Sequence, residues 1–186
     1  LDIIKSKGRG VILGNAGRLT QQKGQKDLIR LAKILMDKGV EFTLFIAGEG
    51  ELRSELEEMI AHNNLQERVI LLGFVEDMDR FMSSIDIFLL TSAWEGFGFV
   101  LVEAMMKSKP VIAYDITSNP EIIDDGVTGY LVEYSNIEML ADKSLELINS
   151  SNLRESMGIS GLKRVKDKFI LQDRINEIEN YLSGKD

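Results

Sequence analysis

The sequence predicts an α/β fold in which a parallel sheet of about six strands lies between helices on both faces. Three observations carry this. Short apolar runs alternate with amphipathic helical segments along the chain. Glycine-bearing turns follow the first four of those runs, at Gly17, Gly48, Gly73 and Gly96-Phe97-Gly98. The 186 residues, 44% hydrophobic and 28% charged, suit one globular domain with a full core.

Taken in order, Gly10 to Ala16 reads as a buried strand running into the polar loop Gly17-Arg18-Leu19-Thr20-Gln21-Gln22-Lys23-Gly24. Leu28, Leu31, Ala32, Leu35 and Met36 then recur at helical spacing, which predicts a helix over Asp27 to Lys38 ended by Gly39. Glu41 to Ala47 is a second strand, and Gly48-Glu49-Gly50 turns it into a helix from Glu51 to Asn63. Arg68 to Leu72 is a third strand, followed by Gly73-Phe74-Val75-Glu76-Asp77 and a short helix from Met78 to Ser83. The fourth strand, Ile85 to Leu90, leads through Trp94-Glu95-Gly96-Phe97-Gly98 into a helix from Phe99 to Lys107, stopped by Ser108-Lys109-Pro110. Pro110 to Tyr114 is a fifth strand, Pro120 to Ile123 a helical turn, and Tyr130 to Val132 a short sixth strand after the turn Gly126-Val127-Thr128-Gly129. Three helices close the chain: Ile137 to Asn149, Leu153 to Lys168 and Leu171 to Leu182. This rhythm is that of a Rossmann-like three-layer sandwich, whose ligands bind at the carboxyl ends of the strands.

Composition narrows the function. A net charge of −8 argues against nucleic acid as a partner. With no cysteine there is neither a disulfide nor a thiolate metal site, which fits a reducing compartment and a cytoplasmic location. The one histidine, His62, stands in a polar helical segment and reads as a solvated surface residue. A histidine-based triad and a histidine-rich metal site are both disfavoured, so the metal expectation is none. No run approaches the ~20 apolar residues of a membrane span. A chain beginning Leu-Asp-Ile-Ile, without methionine, is expected to be a processed product or part of a longer protein, the second reading preferred.

The chemistry concentrates at the fourth loop. Gly96 and Gly98 sit where a strand becomes a helix, so backbone can approach a ligand closely and first-turn N–H groups favour an anion. Glu95 precedes the turn and Glu103 lies about one turn inside the helix. Taken alone, Glu103 would pass for an ordinary surface glutamate. The first loop adds Arg18 and Lys23, flanked by Gly17 and Gly24: a fork and a point charge able to hold a diphosphate. The second loop is not a dinucleotide fingerprint. Arg53 stands where the third glycine of G-x-G-x-x-G belongs, and Glu49 and Glu51 would face a pyrophosphate. Hydride transfer is therefore disfavoured.

Glu95-x7-Glu103 enclosing Gly-Phe-Gly and continuing into Glu-Ala-Met resembles the signature of retaining GT-B glycosyltransferases, the group that includes glycogen synthase and sucrose synthase. Gly17-Arg18-Leu19 followed by Lys23-Gly24 is similar to that family's diphosphate-binding motif, in the same order along the chain. The resemblance covers roughly residues 10 to 182 and only the carboxy-terminal half of a GT-B enzyme. It implies a donor-binding domain for a sugar linked to UDP or GDP, without a cofactor, acting in polysaccharide or glycolipid synthesis. By the same resemblance, Glu95 contacts the transferred sugar, Glu103 the ribose hydroxyls, and the amides of Gly98, Phe99 and Val100 the phosphates. Gly96 and Phe97 complete that loop, Gly48 lines the donor pocket, and the backbone near Val75 recognises the base, with Asp77 and Arg80 beside it. Asp77 reads equally well as a helix cap. By that resemblance Glu95, Arg18 and Lys23 form the catalytic group, with the two cations and the helix N-terminus offsetting charge on the leaving diphosphate in a front-face reaction without a covalent intermediate. The expected partners are the nucleotide-sugar donor, the protein's own amino-terminal domain, and a sugar or lipid-linked acceptor. Contact with the inner membrane face would come through that missing domain, and the half-domain alone is expected to be inactive.

The segment Pro120 to Val132 also resembles a late family segment. The Gly-Gly pair usual before its Pro-Glu is replaced by Thr117-Ser118-Asn119, so detail in that loop does not carry over. Two other readings compete: half of a sugar-nucleotide epimerase, which the Arg18/Lys23 and Glu95/Glu103 combination disfavours, and a non-catalytic nucleotide-binding module.

Overall fold

A computed structural model of the chain describes residues 2–169. Six parallel strands form one sheet: β1 (Val11–Ala16), β2 (Phe42–Ala47), β3 (Val69–Gly73), β4 (Ile87–Leu90), β5 (Val111–Tyr114) and β6 (Gly129–Val132). Their order across the sheet is β3-β2-β1-β4-β5-β6. The chain moves outward from β1 to β3, then returns to place β4 on the other side of β1. Connections therefore diverge between β1 and β4, opening a crevice at the carboxyl ends of those two strands.

Side chains alternate across the sheet with period two. Leu13, Leu44, Ile46, Leu89, Ile112 and Tyr114 enter one core cluster with helices α2 (Gln25–Asp37), α3 (Arg53–His62) and α7 (Ile137–Asn149). Phe45, Phe88, Leu90, Val111 and Ala113 enter the other, against α4 (Met78–Ser84), α5 (Phe99–Met106) and α8 (Ser151–Phe169). Because β2, β4 and β5 are buried along their whole length, they read as near-continuous apolar runs, broken only by Thr43 in β2, rather than alternating ones. Among the described residues, no helix is long and apolar enough to cross a membrane.

The expected six-strand sheet with helices on both faces is the one observed, and His62 is exposed. Three differences have local causes. A short helix α1 (Asp2–Lys7) precedes β1; only Ile4 of it reaches the core. The fourth strand starts at Ile87, not Ile85. Asp86 is drawn into β1, its backbone N–H donating to the Ile12 carbonyl at 2.7 Å and its Oδ2 accepting from the Ile12 N–H at 2.7 Å. Helix α2 starts two residues before Asp27, with Gly24 in a left-handed conformation as its N-cap. The short helix near Pro120 is α6 (Asn119–Ile122). The expected helix from Leu171 to Leu182 lies outside the described residues.

Candidate functional site

The β1 loop is fastened before it carries function. Leu19 is fully buried; its N–H donates to the Glu49 carbonyl at 2.9 Å, and its carbonyl accepts from the Leu52 N–H at 3.1 Å. Buried Gln25 donates from Nε2 to the Arg18 carbonyl at 2.9 Å. Thr91, at the end of β4, donates to the Gly24 carbonyl at 3.0 Å. The backbone of Arg18 is thus fixed while its side chain stays exposed at the crevice. Lys23 ends the 3-10 turn Gln21–Lys23, which hands the chain to α2.

The β4 loop meets it from the other side. Lys23 Nζ lies 2.7 Å from Glu95 Oε1, and the Ser92 hydroxyl donates to the same oxygen at 2.6 Å. The Glu95 N–H donates to Thr117 Oγ1 at 3.2 Å, and Gln22 Nε2 to the Trp94 carbonyl at 3.1 Å. The Glu95 side chain keeps only 9% of its accessible surface, so its carboxylate is held by a cation and a hydroxyl in a largely enclosed position. Residues 72 apart in sequence are thereby joined across the β1/β4 divergence.

Gly98 is the N-cap of α5, with φ 75° and no side-chain cap. The first-turn N–H groups are the donors an α-helix cannot satisfy internally, and the helix dipole adds partial positive charge there. Gly98, Phe99 and Val100 line a cavity of about 610 Å³ together with Gly17, Arg18, Lys23, Glu95, Gly96, Phe97 and Glu103. Every expected residue of the first and fourth loops is therefore on one wall or another of this cavity.

The remaining expected residues fall beside it. Gly48 and Val75 line an adjoining cavity of about 510 Å³ that shares Gly17, Arg18 and Met78 with the first. Glu103 also borders a groove with Met78, Met82 and Met106. Burial pushes the Glu103 carboxyl above the usual carboxylate range, although the side chain as a whole stays accessible. Asp77 is the outlier. It caps α4, accepting from the Arg80 N–H at 2.8 Å, and with Arg80 it lines a neighbouring groove rather than the central cavity.

Sequence reasoning missed Ser92, Thr117 and Gln25, which support Glu95 and Arg18, and Met78, which borders both main cavities. Of these, only Ser92 carried a local signal, at the end of a buried run just before the glycine turn. Among the described residues, no cluster of three or more histidine, aspartate or glutamate side chains could hold a metal ion.

The family described as "Glycosyl transferases group 1" matches residues 2–164. The capsular polysaccharide biosynthesis glycosyltransferase CapM of Staphylococcus aureus is 32% identical over 173 residues, covering 91% of this chain and 45% of CapM. The crystal structure of a point mutant of S. aureus TarM in complex with Fondaparinux, alpha-GlcNAc-glycerol and UDP superposes with a TM-score of 0.86 at 29% identity, over 92% of this chain and 35% of that one. The carboxy-terminal domain of the glycosyl transferase LpcC from Francisella tularensis gives a TM-score of 0.81 at 32% identity, covering 89% of both chains. The chain thus spans less than half the length of CapM and TarM. By this match the chain belongs to the group 1 glycosyl transferases, with one GT-B-like α/β domain described.

Proposed function

We propose that this chain is the donor-binding, carboxy-terminal half of a retaining glycosyltransferase that moves a sugar from a nucleoside diphosphate to a sugar or lipid-linked acceptor. One observation carries the reading: Arg18, Lys23 and the uncapped N-terminus of α5 converge at the β1/β4 crevice with Glu95 bonded to Lys23. Two cations and a helix N-terminus suit a diphosphate. Both bonds to the Glu95 carboxylate fall on Oε1, so Oε2 takes neither and suits a sugar hydroxyl. The relative CapM is named for capsular polysaccharide biosynthesis, and TarM is described with UDP, which supports a nucleotide sugar as donor.

In this reading the bond from the anomeric carbon to the diphosphate oxygen breaks, and its electron pair leaves with the diphosphate. The acceptor hydroxyl forms its new bond on the same face and passes its proton to the departing phosphate oxygen. Arg18, Lys23 and the α5 amides stabilise the charge that develops there. The acceptor side of the crevice would come from the protein's own amino-terminal domain, and the protein would work in the cytoplasm or at the inner membrane face.

Calorimetric titration with UDP, GDP and ADP, and with their common sugar conjugates, tests the proposal. Saturable binding of one nucleotide is expected; no binding to any overturns the donor-binding reading for this chain. Glu103 gives a sharper test. An ionised carboxylate accepts hydrogen bonds from two vicinal hydroxyls. Glu103→Ala is therefore expected to weaken a ribonucleotide about tenfold, and its 2′,3′-dideoxy analogue far less, as loss of a charge-assisted bond implies. Equal losses for both would remove Glu103 from the ribose. The pH dependence follows from the same group. Affinity is expected to fall as pH drops and protonates this carboxyl, earlier than for an ordinary glutamate because burial raises it, and Glu103→Gln is expected to flatten that part of the profile. Without ligand the sign reverses. A raised carboxyl pKa adds stability fully present below the unfolded value and lost as pH rises through the folded one.

A further inference from the structure

The loop that carries Glu95 is fastened at Trp94 and Glu95 by Gln22, Lys23, Ser92 and Thr117, and its glycine-bearing end has less around it. Residues 93–98 form neither helix nor strand, and a side chain built at Gly96 would meet nothing within 4 Å. One prop comes from far along the chain. The ring of Phe97 packs edge-on against Phe169, the last residue of α8, with centroids 5.7 Å apart and an interplanar angle of 73°. On its other side Phe97 meets Phe99, the first residue of α5, at 4.9 Å. The anchor end of this stack is firm, because Val165, one turn earlier in α8, is fully buried in the core and Phe169 packs against the same cluster.

Helix α8 also secures the floor of the loop. Arg164 donates from Nε to the Ile122 carbonyl at 2.7 Å and from Nη2 to the Glu121 carbonyl at 3.0 Å. That tethers the segment whose Asn119 and Ile122 side chains lie against Gly98, and whose Thr117 accepts from the Glu95 N–H. We propose that Phe169 is a positioning residue for the donor loop: its ring, through Phe97, holds Glu95 and the start of α5 in the geometry that receives the nucleotide sugar. In this role Phe169 acts through Phe97 and not on the nucleotide sugar itself. The nucleotide part of this inference rests on the function proposed above; the ordering of the loop does not.

The chain reports on its own loop, since its single tryptophan, Trp94, lies in it and is 56% exposed. The test uses the full chain and three variants, Phe169→Ala, Phe169→Leu and Phe169→Tyr, with acrylamide quenching of Trp94 and titration with UDP-glucose and GDP-mannose. In Phe169→Ala, quenching is expected to increase and the affinity of the bound nucleotide sugar to fall about two- to twelvefold, the value of one aromatic pair. Phe169→Tyr keeps the ring and is expected to behave as the unaltered chain. Phe169→Leu keeps apolar bulk without the ring and is expected to fall between; it supplies the comparison if circular dichroism shows Phe169→Ala unfolded. Unchanged Trp94 quenching in both ring-less variants overturns the proposal, as does a loss in Phe169→Tyr equal to that in Phe169→Ala. If the unaltered chain binds no nucleotide sugar, the functional reading fails, and the Trp94 measurement still decides the role of Phe169.

Discussion

Lys23→Ala is expected to weaken nucleoside diphosphate binding about 10- to 150-fold, the equivalent of one charge-assisted hydrogen bond worth roughly 1.5–3 kcal/mol. Arg18→Ala is expected to cost a similar factor, but the two variants should differ in stability. Arg18 is exposed, and its backbone is held independently by Gln25 and by the buried Leu19 beside it. Removing its guanidinium leaves nothing buried without a partner. Removing Lys23 leaves the enclosed Glu95 carboxylate with the Ser92 hydroxyl alone. A buried polar group stripped of its partner costs about 1–3 kcal/mol, and a charged one more. Thermal melts should therefore separate the variants, with Lys23→Ala the less stable. Adding Glu95→Gln to Lys23→Ala is expected to recover the melting temperature without recovering affinity. Should both single variants bind nucleoside diphosphate as tightly as the unaltered chain, the diphosphate assignment fails.

That pairing also marks the limit of what was legible in the sequence. The strands could be read because a parallel sheet covered on both faces demands nearly continuous apolar runs; β4 and β5 supply them, and β2 does so with Thr43 alone as a polar residue. Helix α2 could be read because Leu28, Leu31, Ala32 and Leu35 fall on one buried stripe. The residues of the central cavity could be named because glycine turns at strand ends constrain where a ligand can sit. Contacts between loops carry no such period. Nothing local in the sequence joins Lys23 to Glu95, Glu95 to Thr117, or Phe97 to Phe169, since each depends on the strand order bringing distant segments to one edge. Asp77 shows the converse. Its local signal for a helix cap was real, and the cap to the Arg80 N–H is what the fold uses.

Gly48→Ala tests how far that edge depends on close backbone approach. Gly48 has φ 139°, and a Cβ there would stand 1.9 Å from the Gly17 carbonyl oxygen. The obstacle is backbone, so no rotamer change relieves it. Gly48 is pinned in turn, its N–H donating to the Gly73 carbonyl at 2.8 Å, while the Gly17 N–H donates to the Ala47 carbonyl at 3.0 Å. Making room therefore means parting the β1 and β2 loops, which shifts Gly17 and the adjoining Arg18 at the crevice. Strain of this kind, without a compensating gain, is expected to cost about 3 kcal/mol or more, or roughly 6–12 °C in melting temperature for a domain of this size. Nucleotide affinity should fall with it, because Gly17 and Arg18 line the cavity. Gly39→Ala is the control. It also has positive φ, 71°, but nothing lies within 4 Å of its Cβ position, so only the left-handed conformation is penalised, about 1–2 kcal/mol. A Gly48→Ala melting temperature no lower than that of Gly39→Ala would mean that the two loops are free to separate. The close packing of Gly48 on Gly17 would then play no part in holding Arg18 at the crevice.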